Sequence, residues 1–159
     1  SRRLGLGVNS MAIAAIDMSI WDLMGKYYKQ PLYKLLGGSR DRIPAYISEI
    51  NQNSDTIADL LDRVDGYISE GYRVVKVIIG KEDIEDDIER IRKVQERLGK
   101  GGTLLVDLNQ KWNAAKAIMR CGKLDQLGLG WIEEPLLYHD IQGHRNLRRS
   151  IKKMLLVAL

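Results

Sequence analysis

Short runs of apolar and β-branched residues alternate with longer segments of helical period, and this alternation leaves the chain few folds to choose from. Residues 73–79, 103–107 and 130–133 are the runs, and each reads as a buried strand. Between them, Ile57, Leu60, Leu61, Val64, Tyr67 and Ile68 recur at helical spacing, ended by Gly71. Ile84, Ile88, Ile91 and Leu98 mark a highly charged outer helix ended by Gly99. Ala117, Ile118, Cys121 and Leu124 mark another, with Asn113 as its N-cap. The rhythm extends both ways: residues 43–48 are strand-like, 140–151 helical, and 154–159 a fifth strand. Upstream, a helix is expected over 11–28, capped by Asn9 or Ser10. A short one over 32–36 is opened by Pro31 and stopped by Gly37 and Gly38. Strand, helix, strand at this spacing means right-handed βαβ units and a parallel sheet.

Two architectures build such a sheet. A doubly wound nucleotide-binding sheet usually carries a glycine-rich turn after its first strand. Residues 48–54 contain no glycine, and there is no Walker-type loop. A β/α barrel needs neither, so the barrel is favoured. A closed barrel takes eight strands and about 250 residues. The 159 residues here supply about five βα units, so the expected fold is α/β, an incomplete TIM-type barrel over 41–159 preceded by the helices of 1–40.

Two acids stand out on this frame. Asp107 closes the run Leu104-Leu105-Val106, and Glu133 closes Gly130-Trp131-Ile132. Strand C-terminal ends share one rim in parallel α/β folds, and ligands bind there. Two hard oxygen donors on one rim suit a divalent cation of the magnesium type; solvated strand-end acids are the plain alternative. Lys76 and Ile78, two apart on one strand, face the same side. A lysine among Val and Ile must pair or lose its charge. It is either a site lysine or a structural ion pair with a carboxylate such as Asp107.

Composition narrows the class. With 29% charged and 45% hydrophobic residues the chain reads as a water-soluble globular protein, and the lone Cys121 fits a reducing compartment, so its expected localisation is cytoplasmic. A net charge of +4, spread along the chain without a compact arginine-aromatic patch, gives no case for nucleic acid. The basic stretch Arg145, Arg148, Arg149, Lys152 and Lys153 reads as a solvated helix face. No apolar run approaches the roughly 20 residues that span a bilayer, and no membrane partner is expected. The lone Cys121 lies on the apolar helix face and cannot form an internal disulfide. His139 and His144, five apart, lack the spacing of a helical metal pair. Trp21 and Trp131 read as core aromatics, and Glu134 as a residue that pairs locally or supports the acids. The chain starts without methionine, so it reads as a segment of something longer.

Three stretches together resemble the mandelate racemase/muconate lactonizing enzyme family of the enolase superfamily. They are residues 14–26 with 31–38, residues 71–80, and Val106-Asp107-Leu108-Asn109-Gln110 followed by Trp131-Ile132-Glu133-Glu134-Pro135. The later His139-Asp140 and Gly143-His144 fit the mandelate racemase subgroup, in which acid-sugar dehydratases are common. The resemblance spans nearly the whole chain but only the middle of a family member. It implies that residues 1–40 are the closing helices of a capping domain. It implies that Asp107 and Glu133 are the first two of three Mg2+ ligands, the third lying beyond Leu159 and so missing from this chain. Lys76 matches the first lysine of the family's Lys-x-Lys motif, a catalytic position, and Ile78 replaces the second. Ser48 and Asn109 fall where the family places groups near the substrate, a small carboxylate or sugar acid.

The implied chemistry is abstraction of the proton next to a carboxylate. The enzyme class implied is a Mg2+-dependent lyase, most directly an acid-sugar dehydratase, or an isomerase or racemase. Ile78 cannot take a proton, which disfavours a two-base racemase. The 159 residues alone are expected to be inactive. The competing reading is a degenerate, non-catalytic remnant serving as a structural or interaction domain. An arc cut from a barrel leaves open edges and an uncovered inner face, so a homo-oligomer or a marginally stable chain is expected.

Overall fold

A computed structural model describes residues 7–48 and 56–157. The chain divides into two compact units, Ser1–Pro44 and Ala45–Leu159.

The first unit holds helices α1 (Gly7–Tyr28) and α2 (Leu32–Leu35). Helix α1 starts four residues before the expected 11. Asn9 and Ser10 therefore lie inside the helix rather than capping it; short polar side chains are tolerated there at modest cost. It ends in a left-handed turn: Lys29 has φ 52°, and the Gln30 N–H donates to the Gly25 carbonyl at 3.0 Å. This is the bond of a Schellman stop. A Cβ at Gly25 would stand 3.3 Å from Leu32 Cδ2, so glycine lets the next helix fold back.

The second unit alternates strands and helices: β1 (Ile47–Ser48), α3 (Ile57–Ser69), β2 (Val74–Ile78), α4 (Ile84–Leu98), β3 (Thr103–Asp107), α5 (Ala114–Leu124), β4 (Trp131–Glu133), α6 (Ile141–Ser150) and β5 (Leu155–Val157). All five strands are parallel, in the order β1-β2-β3-β4-β5. The order never reverses, as in a barrel wall and unlike a doubly wound sheet. Of the expected strand over 43–48, Ile47 and Ser48 pair, in register with Val75 and Lys76, and residues 49–55 lie outside the described residues. Residues 158–159 of the expected fifth strand lie outside the described residues.

Period two explains the packing. Val75, Val77, Leu104, Val106 and Ile132 point to one face and are at most 1% exposed. They form one core with Leu60 and Val64 of α3, Ile88, Ile91 and Val94 of α4, Ala117, Cys121 and Leu124 of α5, and Leu147 of α6. Lys76, Leu105 and Asp107 alternate with them and belong to the opposite face. Local signals fix the helix starts. Thr56 and Asp59 form a reciprocal capping box. Asp83, Asn113 and Asp140 each accept a backbone N–H of the helix they open.

Candidate functional site

Register brings the two acids side by side. Asp107 is the direct partner of Glu133, and Ile78 of Asp107, so the three form one row at the C-terminal end of the sheet. One pleat earlier, Lys76 pairs with Ser48 on one side and Leu105 on the other. Lys76 Nζ donates to both oxygens of Glu133, at 2.9 and 2.8 Å. It lies 3.4 Å from Asp107 Oδ2. All three residues are at most 8% exposed. Burial works against the ammonium, but the hydrogen bond to Glu133 and the charges of Asp107 and Glu133 outweigh it. The Lys76 pKa therefore stands above the ordinary lysine value. Of the two readings of Lys76, its ion pairing is real, with Glu133 the nearer partner.

The chain kinks just beyond each acid. The second Asp107 oxygen, Oδ1, accepts the Asn109 N–H at 2.8 Å. Asn109 and Gln110 then take φ 47° and 62°, and Glu134 takes φ 41°. Left-handed φ costs a non-glycine residue roughly 1–2 kcal/mol, so the surroundings must impose it. They do: the Gln110 N–H donates to Glu134 O at 2.7 Å, Trp112 N–H to Pro135 O at 3.1 Å, and Glu134 N–H to Val157 O at 2.9 Å. The turns after β3 and β4 thus brace each other, and the Asp107 carboxylate is held from its far side.

Beneath the acids lies an aromatic contact. The Tyr46 ring meets Trp131 edge-on at 5.3 Å, and Lys76 Nζ stands 5.8 Å from its centroid. Beside the row, the turn from β2 to α4 is pinned by its neighbours. Asp87, fully buried, accepts the N–H groups of Gly80 and Lys81 at 3.0 Å. Lys111 Nζ donates to Ile79 O at 2.9 Å, and Arg120 donates to Lys81 O and Glu82 O. Burial raises the Asp87 carboxyl above the usual carboxylate range despite its two backbone hydrogen bonds. Burial lowers the Lys111 pKa against the pull of Asp87 and Asp107.

Among the candidates from sequence, Lys76, Asp107 and Glu133 meet at one point. Asn109 follows Asp107 on the rim. Ser48 is in register with Lys76 on the edge strand, and is exposed. His139 and His144 stand apart from the cluster: the His139 ring packs on Tyr138, and His144 Nδ1 lies 2.9 Å from Asp140 O in the first turn of α6. Cys121 is buried, its thiol pushed up to about 12 by burial. Tyr46 went unnoticed, though its period-two relation to Ser48 could have found it. Asp87 interrupts the apolar stripe of Ile84, Ile88 and Ile91, and that position was the available signal.

The donor set fits a magnesium-type ion. Two carboxylates already converge on a single cationic atom, the lysine Nζ, and they are hard oxygen donors. Among the described residues no group of three or more His, Cys, Asp or Glu side chains is placed to hold a metal.

Comparison with known proteins decides the family. Residues 59–158 match the enolase C-terminal domain-like model, and residues 1–37 match the N-terminal domain model of mandelate racemase/muconate lactonizing enzyme. The chain belongs to the mandelate racemase/muconate lactonizing enzyme family of the enolase superfamily. Relatives include the 3,6-anhydro-alpha-L-galactonate cycloisomerase of Streptomyces coelicolor, 35% identical over 91% of this chain and 40% of that protein. A crystal structure of a racemase from Streptomyces coelicolor A3(2) with bound magnesium superposes with TM-score 0.86 at 33% identity, covering 92% of this chain and 41% of that one. The L-talarate/galactarate dehydratase of Salmonella typhimurium LT2, liganded with Mg and L-lyxarohydroxamate, gives TM-score 0.83 at 34% identity over 90% of this chain and 36% of that one. The chain therefore spans about two-fifths of the length of these family members, and its five-stranded arc corresponds to part of their barrel. No helix among the described residues is long and apolar enough to cross a membrane.

Proposed function

We propose that this chain is part of a Mg2+-dependent enzyme that removes the proton α to a carboxylate, with acid-sugar dehydration as its reaction. The observation that supports this best is the convergence of Asp107 and Glu133, adjacent in register, on one cationic point at the strand ends. Asp107 and Glu133 would hold the ion as two of its ligands. Magnesium, when bound, supplies Lewis-acid stabilisation of the enolate formed from a weak carbon acid. Lys76 would act at the substrate carboxylate, its ammonium offsetting negative charge from the floor of the site. Asn109 and Ser48 would contact substrate from the rim and the edge strand. Residues 1–40 would be the closing helices of the capping domain.

Ile78 bears on the stereochemistry. It stands in the row of Asp107 and Glu133 and can neither give nor take a proton. The substrate face toward β2 would therefore meet a hydrocarbon wall beyond Lys76, and proton removal by a second base at that position is excluded. This favours dehydration over two-base racemisation. It also favours a second reading, a non-catalytic remnant.

The deciding assay follows 2-keto acid formation from aldonic and aldaric acids in the presence of Mg2+. The 159 residues alone are expected to show no turnover. Complementation with the C-terminal barrel strands of a dehydratase relative is expected to give turnover that Glu133→Gln abolishes. A folded, complemented barrel that dehydrates no sugar acid would leave the remnant reading in place.

A further inference from the structure

The Lys76 ammonium is the cation that Asp107 and Glu133 share in this structure. It lies 2.8–2.9 Å from both Glu133 oxygens and 3.4 Å from Asp107 Oδ2. A divalent ion bonded to the same oxygens at about 2.0–2.6 Å would face this positive charge at close range. Other parts hold the lysine in place. Tyr46 stands beside Nζ, and the Asn109 N–H fixes Asp107 by its other oxygen, leaving Oδ2 turned toward Nζ.

We infer that Lys76 is an internal competitor of the metal: its ammonium must be displaced from Glu133 before a divalent ion can bridge Glu133 and Asp107. The inference rests on the metal-site reading above and deepens it. It gives Lys76 a role before any substrate arrives, setting how tightly the site holds its ion. The freed ammonium is then turned away from the carboxylates and is available to a ligand anion. Ion binding and exposure of the lysine become one event. Ile78, one pleat on along the same face, offers the displaced ammonium no carboxylate of its own.

The test measures Mg2+ and Mn2+ affinity of the chain itself by titration calorimetry, with melting temperature followed in parallel. Lys76→Met keeps the stem and removes the charge. It is expected to bind either ion about tenfold to a hundredfold more tightly than the parent chain, the worth of a charge-assisted hydrogen-bond pair. Its melting temperature should rise more steeply with added ion. Lys76→Arg, which keeps the charge, should bind no more tightly than the parent. Equal affinity of the parent and Lys76→Met overturns the competition while leaving the metal site intact. Weaker binding by Lys76→Met overturns it too, since the lysine would then be organising the carboxylates. If neither chain binds above an Asp107→Asn control, removal of the ammonium has gained no affinity and the competition is overturned, while the metal-site reading is judged on the complemented barrel. Should Lys76→Met be unfolded without metal, refolding by Mg2+ and not by sodium chloride of equal ionic strength supports the inference. A chain unfolded in both refutes it.

Discussion

Two buried carboxylates illustrate how environment sets what a residue does. Glu133 accepts two hydrogen bonds from Lys76 at the site, and removing it strips a buried ammonium of its nearer partner. Glu133→Gln is expected to cost about 2 kcal/mol in urea melts, the scale of a hydrogen bond to a charged group, with Asp107 limiting the loss. Asp125, the C-cap of α5, accepts the N–H groups of Lys152, Lys153 and Met154 at 2.7–3.0 Å. Burial would raise its carboxyl, but the hydrogen bonds from Lys152, Met154 and Lys153 prevail and hold it below the usual value. The folded pKa is therefore depressed. The resulting stability is present above the unfolded carboxylate pKa of about 3.9 and is lost as pH falls through the folded value. Asp125→Asn should destabilise the chain at neutral pH and flatten the acid limb of its stability curve. An unchanged acid limb would show that these bonds carry no proton linkage.

At the scale of elements, turn chemistry decides more than propensity does. The β2–α4 turn is held by side chains of α4 and of the following βα unit. Asp87→Ala would leave the Gly80 and Lys81 N–H groups without their acceptor. Amide hydrogen exchange at both positions is expected to accelerate, and the chain to lose about 1.5–3 kcal/mol. Gly80 itself has φ 109°, and a Cβ there would come 2.7 Å from Lys111 Cδ and 3.0 Å from Leu108 Cδ2. Gly80→Ala should therefore destabilise even though the position is on a turn. The opposite holds at Lys29, which sits left-handed at the end of α1. Lys29→Gly is expected to raise stability by roughly 0.5–1 kcal/mol, because it relieves the Cβ clash of that conformation.

On the scale of the whole chain, what is built to be covered exceeds what is covered. Among the described residues, sheet neighbours flank β2, β3 and β4 on both sides, whereas β1 and β5 each have one. Leu155 on β5 remains 55% exposed. Within its own unit α1 leaves Val8, Ile13, Ile16 and Ile20 more than half exposed. At about 25 cal/mol per Å² of apolar area, covering such surface is worth several kcal/mol, comparable with the net stability of a small domain. Expressed alone, the 159 residues are expected to self-associate or to melt with low cooperativity. Sedimentation velocity across a concentration series, with a denaturant melt, would read this. A concentration-independent monomer of high stability would contradict it.

The alternation of strand and helix, the helix cap at Asn113, and the placement of Asp107 and Glu133 at strand ends were all legible in the sequence. Each depends on local period or on a capping side chain, and such rules act over a few neighbouring residues. That within 43–48 only Ile47 and Ser48 pair was not legible, because a strand's pairing depends on a neighbour far along the chain. The same limit hid the rest. That Lys76 turns to Glu133, 57 positions away, more closely than to Asp107 follows from the register of three strands. That Asp87 is buried against a turn, that Tyr46 reaches Trp131, and that Asn109, Gln110 and Glu134 accept left-handed backbone all follow from packing between βα units. The sequence by itself determined which residues could do chemistry and on which rim. Only the tertiary structure decided which of them meet at the Lys76 ammonium, because that depends on distances across the sheet.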